Sequence, residues 1–302
     1  LSELKLTVPW GHIAAKAWGS LRGPPVLCLH GWLDNANSFD RLIPLLPQDF
    51  YYVAMDFGGH GLSSHYSPGV PYYHQNFVNE VRRVVAALKW SRFSLMGHSF
   101  GEYPLFSCTF PEMVDELILL DASPFAMDIN EMENLLTYKR RAIEHVLQVE
   151  ASQKPSRVVS PEEMLQGFLK NNSHVGEECG KLLLQRGTTW GATGKGLPLQ
   201  ALWTPEYSFD FISRELFTYS IQQLQAHVLL GTSSVRITVP GLNGHRWALP
   251  LPLATTHDPP FLQRFQFVQI PGNHYVHMNA PHLVASVVSS FLQSKRRIPA
   301  QL

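Results

Sequence analysis

The pentapeptide Gly97-His98-Ser99-Phe100-Gly101 constrains this chain more than any other feature. It follows the apolar run Phe93-Ser94-Leu95-Met96, so a buried strand leads into a turn with a serine between two glycines. Small flanking residues let the chain reverse sharply from strand to helix. The strained turn then lifts the serine Oγ clear of the sheet, at the N-terminus of the helix that follows. G-x-S-x-G occurs by chance in many chains, and the strand in front of it supplies the context that gives it chemical meaning. Ser99 is therefore the candidate nucleophile.

The surrounding pattern has room for such a turn. Residues 3–8 and 13–18 read as a hairpin around Trp10-Gly11. Residues 25–29 and 51–55 are nearly continuous apolar runs, as expected of strands buried on both faces of a parallel sheet. Residues 92–96, 117–120, 227–230 and 265–270 read as further strands. Helical spacing over 38–46, 77–90 and 281–295 completes an α/β alternation with a mostly parallel central sheet and flanking helices. From 126 to 225 the pattern changes. Helices are expected over 130–149, 178–186 and 209–225, another begins at Pro161 behind the Ser160 N-cap and the capping-box Glu163, and no strand is evident. The expected organisation is a core of 1–125 and 226–302 with a helical lid insertion at 126–225. Residues 231–260 carry Pro240, Pro250, Pro252, Pro259 and Pro260 and show no clean period, so no element is predicted there.

Two further segments place chemistry near the ends of predicted strands. Leu29-His30-Gly31-Trp32 ends the strand at 25–29, and the backbone N–H groups of Trp32 and Phe100 are the expected donors to an oxyanion. Gly272-Asn273-His274 follows the last strand and precedes the closing helix, which makes His274 the candidate base. His277 is a nearby competitor, and His30 and His98 read as packed histidines.

Composition removes other classes. Lys plus Arg equals Asp plus Glu, so no basic footprint for nucleic acid exists. Three cysteines, Cys28, Cys108 and Cys179, lack disulfide or metal spacing and favour a reducing compartment. No signal peptide and no bilayer-length apolar run is found, and the terminal Pro299-Ala300-Gln301-Leu302 is not an S-K-L address. No H-E-x-x-H and no compact ligand cluster is present, so a metal hydrolase is not expected.

On Leu29 to Asn35, Asp56-Phe57-Gly58-Gly59-His60-Gly61-Leu62-Ser63, the Ser99 turn and Pro271-Gly272-Asn273-His274, the chain resembles the α/β-hydrolase superfamily, and within it the serine hydrolase-like proteins. The resemblance covers the chain from about residue 3 to 292 apart from 231–260. It implies a cofactor-free hydrolase without settling the substrate; with Ser99 as nucleophile and His274 as base, a small carboxylic ester or related acyl compound is the expected substrate. The resemblance also implies an intracellular, cytoplasmic protein with perinuclear or peroxisomal association. The segment 56–63 is expected to shape a turn beside the pocket, without chemistry of its own.

The chain departs from the family in three places. Glu102 stands where a second glycine usually follows the turn, and the stretch from Ser99 to Pro111 is about two residues short, about 200° of helix rotation. No carboxylate follows the strand at 227–230, where the family's acid commonly sits. Asp258 is the first one after it, and Asp121, after the preceding strand, is the position some members use. Residues 231–260 are unlike the family pattern. A catalytically impaired relative acting as a binding protein is the alternative these departures favour. A dehalogenase or epoxide hydrolase would need an aspartate where Ser99 stands.

Overall fold

The hairpin at the N-terminus leads into the sheet. The computed structural model describes residues 1–66, 73–99, 102–122, 135–152, 159–190, 196–198, 224–233 and 264–294. Strands β1 (Ser2–Val8) and β2 (Gly11–Gly19) pair antiparallel, from Ser2 opposite Ala17 to Val8 opposite Gly11. Next come β3 (Pro25–Leu29), β4 (Tyr51–Met55), helix α1 (His74–Ala87), β5 (Phe93–His98), α2 (Glu102–Thr109) and β6 (Val114–Leu120). Between β6 and β9 come α3 (Leu135–Ser152), α4 (Pro161–Asn171), α5 (Glu177–Arg186), β7 (Thr188–Trp190) and β8 (Gly196–Pro198). The chain then returns through β9 (His227–Ser233), β10 (Phe265–Ile270), the single turn α6 (Val276–Asn279) and α7 (Pro281–Ser294).

Eight strands form one sheet in the order β1-β2-β4-β3-β5-β6-β9-β10. All neighbours from β4 to β10 are parallel, and β2 runs antiparallel to β4. This is the α/β-hydrolase fold expected from the sequence. The side-chain period of two divides each central strand between two cores. Leu27, Leu29, Val53, Met55 and Leu95 pack with Phe77, Val81, Val85 and Phe106 of α1 and α2 on one face. Val26, Cys28, Tyr52, Ala54 and Met96 pack with Val284, Val288 and Phe291 of α7 on the other. Burying each large side chain contributes roughly 1.5–3 kcal/mol. The continuous apolar runs are thus explained by helices on both faces.

Three local expectations are corrected or qualified. The spacing over 38–46 forms two separate 3-10 turns, Ala36–Phe39 and Ile43–Leu45, because Pro44 lacks the N–H that a continuous α-helix would use there. The stretch 126–225 contains strands after all: β7 and β8 pair antiparallel, with Thr188 opposite Pro198 and Trp190 opposite Gly196. Three-residue strands are too short to show an alternation in the sequence, although Thr188-Thr189-Trp190 are all strand formers. The helix expected over 209–225 falls mostly outside the described residues, and Leu224 and Gln225 are not helical. Residues 130–134 and 234–260 also lie outside them. The capping box of α4 is formed as expected, with Glu163 N–H donating to Ser160 Oγ at 3.1 Å and Ser160 N–H to Glu163 Oε2 at 3.2 Å.

An ion network centred on the buried Arg186–Asp56 pair ties α5 to the sheet. Arg186, the last residue of α5, donates Nε–H to Asp56 Oδ2 at 2.7 Å and both terminal nitrogens to Glu3. Asp56 also accepts the N–H groups of Ala36 at 2.7 Å and Leu62 at 2.8 Å, which holds the turn after β4. At Gly61, φ is +51° and a Cβ would lie on the Asp56 carboxylate, so this tight turn requires glycine. Among the described residues no helix is long and apolar enough to cross a membrane.

Candidate active site

β3 lies between β4 and β5, so the loops leaving β3 and β5 diverge to opposite sides of the sheet. In an open parallel sheet such a reversal opens a crevice at the carboxyl ends of the strands, where ligands bind. The loop after β3 begins His30-Gly31-Trp32, and the turn after β5 begins at Ser99.

Ser99 has φ of +64°, a left-handed conformation that costs a non-glycine residue of order 1–3 kcal/mol. Its N–H donates to Leu120 O at 3.1 Å, which anchors the turn to the adjacent strand β6. Gly31 backs directly onto it. A Cβ there would stand 3.2 Å from Ser99 Cβ, 3.1 Å from His98 Nδ1 and 2.9 Å from Asp34 Oδ2. A glycine is the only residue that lets these two strand ends approach so closely.

His274 follows β10 through Pro271-Gly272-Asn273, a turn closed by Asn273 Oδ1 accepting Tyr275 N–H at 3.0 Å. Its Nε2 lies 2.7 Å from Ser99 Oγ, and its Nδ1 lies 2.8 Å from Asp121 Oδ2. A carboxylate only accepts, so Nδ1 carries the ring proton and Nε2 offers a lone pair to the Ser99 hydroxyl. The His274 side chain is 25% exposed and that of Asp121 only 2%. The His274 ring therefore reaches solvent while its carboxylate partner does not.

Asp121 follows β6 with φ of +47°. Its Oδ1 accepts Ser233 N–H at 2.8 Å and the Thr232 hydroxyl at 3.3 Å, and its Oδ2 accepts the Ser233 hydroxyl at 3.1 Å. Burial alone would raise its pKa. The hydrogen bonds from His274 and from Ser233 outweigh burial and hold the carboxyl below its ordinary value. The end of β9 thus supplies donors to the carboxylate that follows β6.

The competing histidines face elsewhere. His277 is fully buried, with Nε2 2.7 Å from Ser38 Oγ and its ring 4.0 Å from that of His98, and burial depresses its pKa well below the ordinary value. His30 accepts Phe57 N–H at Nε2 and donates from Nδ1 to Gly31 O, and burial lowers its pKa to about 4. Trp32 sits just past β3 with its indole edge-on to His60 and Phe77. Phe100, Gly101 and Asp258 lie outside the described residues, and Glu102 opens α2. Arg186, Thr232 and Ser233 belong to no motif in the sequence, and Asp34 lies within the Leu29–Asn35 motif with no role assigned from it. Each becomes recognisable only through a partner far along the chain. Among the described residues no group of three or more His, Cys, Asp or Glu is placed to hold a metal ion.

Comparison with known proteins agrees with this architecture. The sequence pattern of the alpha/beta hydrolase fold matches residues 24–212. The chain is 66% identical to serine hydrolase-like protein 2 of Homo sapiens, over 100% of this chain and 97% of the relative. It is 61% identical to the serine hydrolase-like protein of Mus musculus, over 98% and 97%. Among solved structures, a hypothetical protein of Pseudomonas aeruginosa superposes with a TM-score of 0.79 at 26% identity, over 97% of this chain and 99% of that one.

Proposed function

The chain belongs to the α/β-hydrolase fold family, and from that premise we propose that it is a serine hydrolase cleaving carboxylic esters or related acyl compounds through an acyl-enzyme. The observation that carries this reading is the unbroken series of hydrogen bonds from Asp121 through His274 to Ser99. In the proposed reaction Ser99 Oγ attacks the acyl carbon while its proton passes to His274 Nε2. Asp121 orients the ring and stabilises the imidazolium. The N–H groups of Trp32 and Phe100 would hold the oxyanion, a contribution of several kcal/mol when such donors are preorganised. The tetrahedral adduct collapses, the leaving alcohol takes the proton from His274, and the acyl group stays on Ser99. Water then gives a proton to His274, attacks the ester and releases the acid, and the proton returns to Ser99.

The proposal includes residues 126–225 as a lid over this end of the sheet. It is supported by Asn35 Nδ2 and Asn37 Nδ2 donating to the carbonyls of Leu183 and Leu182 in α5, at 2.9 and 2.8 Å. The proposed substrate carries a small or medium-sized apolar acyl group.

The direct test is reaction with a fluorophosphonate probe, with the adduct located by peptide mass spectrometry and Ser99→Ala as control. Modification of Ser99, absent in the variant, is the expected result. Folded protein that stays unmodified would overturn the reading and leave a binding role.

A further inference from the structure

His98 lies one residue before the nucleophile and is fully buried, yet it contacts the loop of the base. Its Nε2 lies 2.8 Å from the backbone carbonyl oxygen of His274. That oxygen only accepts, so Nε2 carries a proton and donates it. On the other side of the ring, Nδ1 is 3.6 Å from Asp34 Oδ2. Asp34 Oδ1 accepts the hydroxyl of Tyr275, the residue after His274, at 3.0 Å. The His98 ring is also packed between its neighbours, 4.0 Å from the ring of His277 and 5.1 Å from that of Tyr275.

These contacts close a loop through the structure. From Ser99 the backbone runs to His98, the His98 ring bonds the His274 backbone, and the His274 ring returns to Ser99 Oγ. Asp34, from the loop after β3, holds the His274 segment through the Tyr275 hydroxyl and lies beside the His98 ring. The Ser99–His274 distance is then set by a short ring of contacts as well as by the sheet, in which β6 and β9 separate β5 from β10.

We propose that His98 is a positioning residue which, through its Nε2–H bond to the His274 carbonyl and with Asp34 and Tyr275 behind it, holds the imidazole of His274 in register with Ser99 Oγ. The inference rests on the reading of Ser99 as nucleophile and His274 as base. His98 bonds the His274 backbone and packs beside its ring, 4.8 Å between centroids, without bonding Ser99 Oγ or His274 Nε2, so its effect is on geometry, where a displacement of about 1 Å can cost about a hundredfold in rate.

The experiment uses the whole chain with His98→Leu, His98→Gln and Tyr275→Phe, each checked for folding by circular dichroism. The rate constant for fluorophosphonate modification of Ser99 is measured, together with the low-field proton NMR signal of the His274 Nδ1–H bonded to Asp121. His98→Leu removes the donor and is expected to slow modification about tenfold to a hundredfold. His98→Gln can present an amide N–H to the same carbonyl and is expected to recover most of that loss. A purely structural role would slow both equally. Modification of His98→Leu at the wild-type rate, or of His98→Gln as slowly as His98→Leu, overturns the proposal. Should His98→Leu fail to fold, Tyr275→Phe must still slow modification, and a wild-type rate there overturns it. If even the wild-type protein is not modified, the hydrolase reading falls separately. The NMR signal then decides: it is expected to shift or broaden in His98→Leu and persist in His98→Gln, and an unchanged signal refutes the positioning role.

Discussion

Replacing Asp121 by Asn tests the proposed acid with almost no change in shape. The amide can keep an oxygen toward Ser233 N–H, which donates at 2.8 Å, and so turns its NH2 toward His274 Nδ1, now 2.8 Å from the carboxylate. Two donors cannot face each other, so the imidazole must carry its proton on Nε2 instead. Nε2 then points an N–H at Ser99 Oγ across the 2.7 Å contact and cannot take the serine proton. A wrong tautomer with intact geometry costs about 10⁴-fold in kcat in triads of this kind, or about 5.4 kcal/mol of barrier at 1.36 kcal/mol per decade. The assay is the rate of fluorophosphonate modification and of p-nitrophenyl ester hydrolysis, with Ser99→Ala as the baseline. Asp258→Asn serves as a parallel variant, expected to keep wild-type rates. Near-wild-type activity in a folded Asp121→Asn, or a collapse in Asp258→Asn instead, would refute the reasoning.

Other perturbations reach the surrounding framework. Glu80 is buried and accepts Gly58 N–H at 2.9 Å and the Tyr66 hydroxyl, and burial raises its pKa to about 7. Its folded pKa lies above the unfolded value, so the native state binds more protons between the two. Stability should therefore fall as pH rises from about 4.5 to 7, by at most about 3 kcal/mol; Glu80→Gln should flatten that slope in urea titrations, and an unchanged slope would assign it to another group. Asp121 has the opposite sign. Its lowered pKa contributes stability that is fully present above the unfolded value of about 3.9 and is lost as pH falls through the folded value. The stability gap between wild type and Asp121→Asn should thus narrow below pH 4, and a constant gap would contradict it. Arg186→Met leaves Asp56 buried without its cation and should cost about 3–5 kcal/mol in chemical denaturation, against under 1 kcal/mol if the pair is dispensable. Gly31→Ala places a methyl 2.9 Å from Asp34 Oδ2 and 3.2 Å from Ser99 Cβ; it should slow Ser99 modification and cost about 1–3 kcal/mol, and a wild-type rate would show that the two strand ends can separate.

The sequence by itself determined what depends on near neighbours. The apolar runs at β3, β4 and β5 announce strands covered on both faces, because in each a side chain points alternately to one core and the other. Ser160 and Glu163 announce the start of α4 three residues apart. Gly97 to Gly101 behind an apolar strand announces the sharp turn at Ser99. These signals are local because the backbone and the first few side chains decide them.

Only the tertiary structure decided which carboxylate and which histidine meet the serine. Asp121 becomes a held carboxylate because β6 and β9 lie side by side, which brings Ser233 N–H to it from 112 residues away. His274 and His277 are three residues apart and equal in chemistry. The turn at Asn273 and the short α6 send one ring to Ser99 and the other into the core against Ser38. Asp34, His98 and Arg186 read as unremarkable polar residues until strand order gives each a distant partner. A hydrogen bond is directional over about 3 Å, and in a parallel sheet that distance is set by crossovers between strands far apart in the chain, which no local pattern of residues encodes.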